Sequence, residues 1–215
     1  MKYVLIAVIG YLLGSVSSGI IMARLFGHMD IRKQGSGNVG MTNVMRTLGW
    51  LPSVLTFVGD AFKGVMAALA GKWIGGEPGL VIGGLLAIAG HNWPVYYKFK
   101  GGKGMSTSFG FLLVADWRIA IILLVLQTAI VFSTGYMSVA SLSSAIALAA
   151  LAFILDAGNG WLIVACLICS ALAVYSHRSN IVRLIQGKEN RLSLRKINEA
   201  SQKTNQMIKD RRNKP

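Results

Sequence analysis

The chain has 215 residues, of which 53% are hydrophobic and 14% charged. A soluble globular domain carries about 25% charged residues, so this composition excludes an ordinary water-soluble domain and points to one compact membrane domain. The net charge is +14; in a membrane protein such an excess meets anionic head groups and sets topology, and no nucleic-acid partner is implied.

Crossing a ~30 Å hydrocarbon core takes about 20 mostly apolar residues. Apolar runs cover 3–26, 51–74, 79–97, 105–115, 117–134, 137–155 and 159–176. Lys2 ahead of an apolar run fits the start of a signal peptide, but the run continues past Gly14 to Phe26, so a retained first helix is expected. Asp116, Trp117 and Arg118 split the fourth run from the fifth; merging the two gives a six-helix alternative.

The expected fold is therefore an all-α membrane protein of seven transmembrane helices. Alternate connections then share a side. One side, with 24–50, 98–103, 134–137 and the tail, carries 18 Lys and Arg; the other carries 3, namely Lys2, Lys72 and Arg118. This asymmetry puts the first set in the cytoplasm, with the N-terminus outside and the C-terminus inside. Residues 1–187 read as the membrane domain and 188–215 as a basic, polar cytoplasmic tail. The tail is expected either to form a helix around 193–212 or to stay disordered, aiding attraction to the membrane surface without doing chemistry.

Three segments place polar residues where a membrane protein can least spare them. The first runs from Gly35 to Arg46. Gly35, Gly37 and Gly40 let backbone N–H groups converge on an anion, Ser36, Asn38, Thr42 and Asn43 add donors, and the planar fork of Arg46 matches phosphate or carboxylate. The same segment also fits a tight loop whose side chains only cap helix ends. The second is Gly59 to Gly64, with Asp60 and Lys63 on one helix face, either an ion pair that fixes packing or part of a site.

The third runs from Gly90 through His91, Asn92 and Pro94 to Lys98, Lys100, Gly101, Gly102, Lys103, Gly104 and Thr107. It reads as a helix end, a cationic glycine loop and a new helix start whose N–H groups favour a phosphate. It is not a Walker loop, because Tyr97 stands five residues before Gly102 and Gly follows Lys103. By the alternation of helices, both loops and the end of the last helix, with His177, Arg178 and Asn180, are expected at the cytoplasmic face as one cationic basin. Cys166 and Cys169 read as small packing residues. No Ser-His-Asp pattern, four-residue His/Asp box or metal-ligand cluster stands out, so neither metal nor cofactor is expected.

These residues resemble the bacterial acyl-phosphate-dependent glycerol-3-phosphate acyltransferases. The resemblance runs from Tyr11-Leu12-Leu13-Gly14-Ser15 to about Gly187, and its most specific parts are Gly35 to Arg46, Asp60 with Lys63-Gly64, Gly90-His91 with Pro94, Phe99 to Gly104, and His177-Arg178 with Asn180-Ile181. It implies a seven-helix membrane fold of the bacterial inner membrane, with a site facing the cytoplasm. It also implies acyl transfer from acyl phosphate to the 1-hydroxyl of sn-glycerol 3-phosphate, giving lysophosphatidic acid and phosphate, the first step of phospholipid synthesis. Membrane lipids are the other expected partners, and a monomer is expected.

Carried over residue by residue, the resemblance gives Ser36, Arg46 and Lys103 to glycerol phosphate, with His177 and Asn180 beside them, and the glycine loop 101–104 to the donor's phosphate. Gly37, Asn38, Thr42, Asn43, Asp60, Lys63, His91, Lys100, Thr107 and, more weakly matched, Ser141 complete the candidate binding set. The chain departs from the family's usual residues at Gly14-Ser15-Val16-Ser17-Ser18-Gly19, at Ser176 and at Ser179.

Overall fold

The structure is a computed structural model that describes residues 1–212. All regular elements among them are helical: α1 (Lys2–Ser15), α2 (Ser18–Gly27), α3 (Met41–Leu48), α4 (Trp50–Asn92), α5 (Met105–Ala115), α6 (Trp117–Thr134), α7 (Met137–Leu155), α8 (Gly160–Ser176), α9 (Arg178–Ile185) and α10 (Leu194–Arg212), with short 3-10 turns at Ile31–Lys33 and Val95–Tyr97. Four segments are long and apolar enough to cross a membrane, or five if α8 and α9, bent by 54°, count as one. At 11 residues α5 is shorter than a span.

Three expected runs take a different form. The run 3–26 is not one helix: the chain leaves helical geometry at Val16 and Ser17, where the backbone is extended. Runs 51–74 and 79–97 are joined as α4, but Gly76 has φ 66°, a left-handed conformation that glycine adopts at little cost. The chain doubles back there. Gly71 lies against the Gly79 carbonyl and Gly83 against that of Ala67, so the two halves run antiparallel.

The chain forms two compact units. The first comprises Met1–Val16 and Ala61–Arg191. Its core is built by Phe111, Leu112, Ile119, Leu123, Leu148, Leu162 and their neighbours, where Cys166 and Cys169 are buried as free thiols. The expected break between runs four and five is present: Asp116 caps the start of α6 by accepting from the Arg118 N–H at 2.9 Å and pairs with its guanidinium at 2.7 Å. Small residues let helices touch at backbone distance, so α5 meets α4 where Gly64 faces the Thr107 carbonyl and Gly110 that of Ala61.

The second unit comprises Ser17–Asp60 and the residues from Leu192 onward. Here the tail from Leu194 is a helix, one of the two expected forms, and it packs on α3 and α2. Ile197 and Ala200 are buried at its base. The Ser201 hydroxyl accepts from the Trp50 N–H at 3.1 Å, and the Asn198 side-chain oxygen from the Trp50 indole N–H at 3.3 Å.

Candidate active site

In the second unit the segment 30–46 is a loop folded around one amide. Asn43, 1% exposed, donates to the Gln34 and Asn38 carbonyls, each at 2.9 Å, and to that of Ile31 at 3.3 Å. Its oxygen accepts from the Ser36 N–H at 2.9 Å. Asn43 thus shapes the loop, since its amide is already taken up by the backbone. Asn38 has a similar local task, accepting from the Gly40 N–H at 2.8 Å. Gly35 and Gly37 have positive φ, as the turn requires. Ser36 is left exposed, and Arg46 stands half-buried in the last turn of α3 with Thr42 one turn before it.

The loop's entry is fixed by Asp30. It accepts from the Arg32 N–H at 3.0 Å and is gripped by the Arg32 guanidinium at 2.8 Å. Those bonds hold its pKa down at about 2. A depressed carboxylate adds stability above its unfolded pKa and loses it as the pH falls through the folded value, so this anchor lasts down towards pH 2. Asp60, 1% exposed, accepts from the Ser18 N–H at the start of α2, where the helix end favours negative charge.

In the first unit, Lys63 and His91 form a buried pair on the two arms of α4. The Lys63 ammonium donates to the Val16 carbonyl at 2.6 Å and lies 2.9 Å from His91 Nδ1. With Lys63 as an ammonium, which only donates, Nδ1 accepts and the imidazole proton sits on Nε2. The glycine loop folds over this ring: the Gly102 N–H donates to the His91 carbonyl at 3.0 Å, and Gly102 lies against His91 Nε2. The loop then enters α5 through Gly104, with no side-chain cap on the helix start. Thr107 is buried in the first turn, its hydroxyl without a hydrogen-bond partner.

Lys103 is half-buried in this loop and donates to the Asn180 carbonyl oxygen. The Asn180 amide nitrogen donates to Glu189 at 2.7 Å, and the other Glu189 oxygen accepts from Arg183 at 2.8 Å. His177, 2% exposed, donates through Nδ1 to the Ala173 carbonyl at 2.8 Å, which leaves Nε2 as an acceptor when the ring is neutral. The structure thus brings Lys103 and Asn180 together within this unit, next to a loop set on His91. Lys100 is exposed, and Ser141 is buried on α7. Glu189 is the partner that sequence reasoning missed; the available signal was a lone acid between Lys188 and Arg191 in an otherwise basic stretch.

Comparison with known proteins agrees with these features. Residues 4–187 match the family described as glycerol-3-phosphate acyltransferase. Curated relatives of that name include one from Syntrophomonas wolfei, 42% identical over 90% of this chain and 98% of its own, and one from Clostridioides difficile, 40% identical over 91% and 98%. Among solved structures, PlsY (YgiH), described as an integral membrane glycerol 3-phosphate acyltransferase, aligns in its glycerol 3-phosphate form with a TM-score of 0.84 at 35% identity, covering 90% of this chain and 96% of that one. Its lysophosphatidic acid form aligns with a TM-score of 0.83 at 33% identity, covering 92% and 98%. The chain, an all-helical integral membrane protein, belongs to the glycerol-3-phosphate acyltransferase family.

Proposed function

We propose that the protein transfers an acyl chain from acyl phosphate to the 1-hydroxyl of sn-glycerol 3-phosphate at the cytoplasmic face of the inner membrane. The observation that supports this reading is Lys103. It stands between two glycines at the uncapped start of α5, its ammonium held by Asn180. Helix-start N–H groups and a fixed cation favour a phosphate.

An acyl phosphate is already activated. The hydroxyl oxygen bonds to the donor's carbonyl carbon, the bond from that carbon to the phosphate oxygen breaks, and the hydroxyl proton passes to the departing phosphate. The protein's share is orientation and fixed charge, with no covalent intermediate. Lys103, Asn180, His177 and the glycines 101, 102 and 104 take this part from the first unit, with Thr107 and Ser141 as further candidates. In the second unit, Ser36, Gly37, Thr42 and Arg46 are the groups proposed to hold glycerol phosphate. Asn38, Asn43 and Asp60 support that unit's backbone, and Lys63 and His91 support the glycine loop.

The decisive experiment uses purified protein in detergent with palmitoyl phosphate. Phosphate release should require glycerol 3-phosphate and match lysophosphatidic acid formed. Release without the acceptor, or none with both substrates, rejects the reaction. Arg46→Lys keeps the charge but loses the fork. It is expected to raise the KM for glycerol 3-phosphate roughly tenfold, about 1.4 kcal/mol; unchanged kinetics in the folded variant would remove Arg46 from the site.

We further propose seven passes, with the doubled-back α4 supplying two and α5 a short one. An N-terminal tag should then be reachable from outside the cell while a C-terminal reporter is active only inside. Both ends mapping to one side would reject the odd count.

A further inference from the structure

Glu189 lies beyond the residues that match the family, which end at 187. Its side chain is only 6% exposed, and its two oxygens take up different donors, Asn180 Nδ2 at 2.7 Å and Arg183 Nε at 2.8 Å. Asn180 in turn presents its oxygen to Lys103.

The order of these groups has a chemical logic. An ammonium can only donate and a carboxylate can only accept. The amide between them has one end of each kind, and its two ends are nearly alike in size. Shape alone therefore leaves two flips of Asn180 close in energy. With Glu189 on one side and Lys103 on the other, only one flip satisfies both neighbours. The reverse flip would set an NH2 against the ammonium and an oxygen against the carboxylate, leaving buried polar groups unpaired. Burial pushes the Glu189 carboxyl up, but hydrogen bonds from Asn180, Arg183 and Ser138, with the Arg183 charge, outweigh it and hold it below the usual carboxylate range, so it accepts at neutral pH.

We propose that Glu189 is a positioning residue for acyl transfer: it fixes the polarity of the Asn180 amide so that Lys103 is held by an oxygen and presented to substrate phosphate. This rests on the reading of Lys103 as a phosphate-binding residue. Arg183 has a different part. Its side chain is 35% exposed, so water can take its place on Glu189 without disturbing Asn180.

The test compares Glu189→Gln, Glu189→Lys and Arg183→Ala in the full-length protein, with Lys103→Ala and Asn180→Ala alongside. Glu189→Gln is isosteric and keeps the fold, but offers one oxygen to two donors. Its kcat/KM for glycerol 3-phosphate should fall roughly tenfold, and that of the donor-only Glu189→Lys roughly 30-fold or more, with Arg183→Ala within about threefold of wild type. Melting temperatures separate folding from positioning: Glu189→Gln and Arg183→Ala break the same ion pair and should melt alike. If Arg183→Ala loses as much activity as Glu189→Gln, the ion pair matters and not the amide, and the inference fails. If Glu189→Gln stays near wild type while Lys103→Ala and Asn180→Ala are inactive, the inference fails and the site reading stands. If those last two stay active, the site reading itself is wrong and Glu189 has nothing to position.

Discussion

Lys103→Ala is expected to lower turnover by roughly 30- to 1000-fold, the loss of ~2–4 kcal/mol of transition-state stabilisation, with little change in melting temperature. The side chain is half-buried in a loop where glycines on both sides leave its backbone unfenced. It is also held by a buried asparagine instead of waving in solvent. In a partly dehydrated site one cation matters more to a phosphate of about two negative charges than it would in water. Lys100, exposed three residues earlier, is the internal comparison, and Lys100→Ala should cost less because solvent already screens that charge. Steady-state rates of both variants decide the matter. Near-normal activity of Lys103→Ala beside an inactive Lys100→Ala would reverse the two roles; two active variants would move the phosphate site away from this loop.

Gly102→Ala should cost roughly 100-fold in kcat/KM, the scale of effect that follows a misplacement of about 1 Å, although it adds a single methyl group. That methyl would fall on His91 Nε2. The ring cannot simply swing aside, because Lys63 holds its Nδ1 at 2.9 Å and both residues are buried. The loop cannot lift freely either, since the Gly102 N–H is bonded to the His91 carbonyl at 3.0 Å. Either the Lys63 contact or the loop's own seat must give, and Lys103 moves with it. The matching measurement is His91→Ala/Gly102→Ala, which removes the obstructing ring. Recovery of activity over Gly102→Ala alone would support the packing argument, whereas a Gly102→Ala enzyme at wild-type rate would sink it.

The helices were legible where apolar runs end at a polar break. Met105–Ala115, Trp117–Thr134 and Met137–Leu155 have the ends that the sequence suggests, because Asp116 and Gly135 are a cap and a turn residue whose chemistry is local. The break at Val16–Ser17 was hidden, since hydropathy continues across it and its support comes from residues far along the chain: Lys63 bonds to Val16, and Asp60 to Ser18. Asp60 and Lys63 thus each bond to the backbone beside this break, a contact that their own helix pattern could not reveal. In the glycine loops, residue types showed that something polar was being built. They did not show that Asn43 serves its own backbone, or that Asn180 is set by Glu189, because one amide looks like another until its partners are known.

The docking of α10 on α3 and α2 also bears on when the enzyme is ready during its synthesis. The polypeptide emerges from the ribosome amino end first, so the loop 30–46 is made early while Ile197, Asn198 and Ser201 come almost last. Trp50 finds its partners on α10 only after nearly all of the chain has been translated. Until then the face of α3 that α10 packs on lacks its cover. A chain ended prematurely after α9 would hold every helix of the first unit and still leave this face bare, a mark by which cellular proteases could tell an unfinished copy from a finished one.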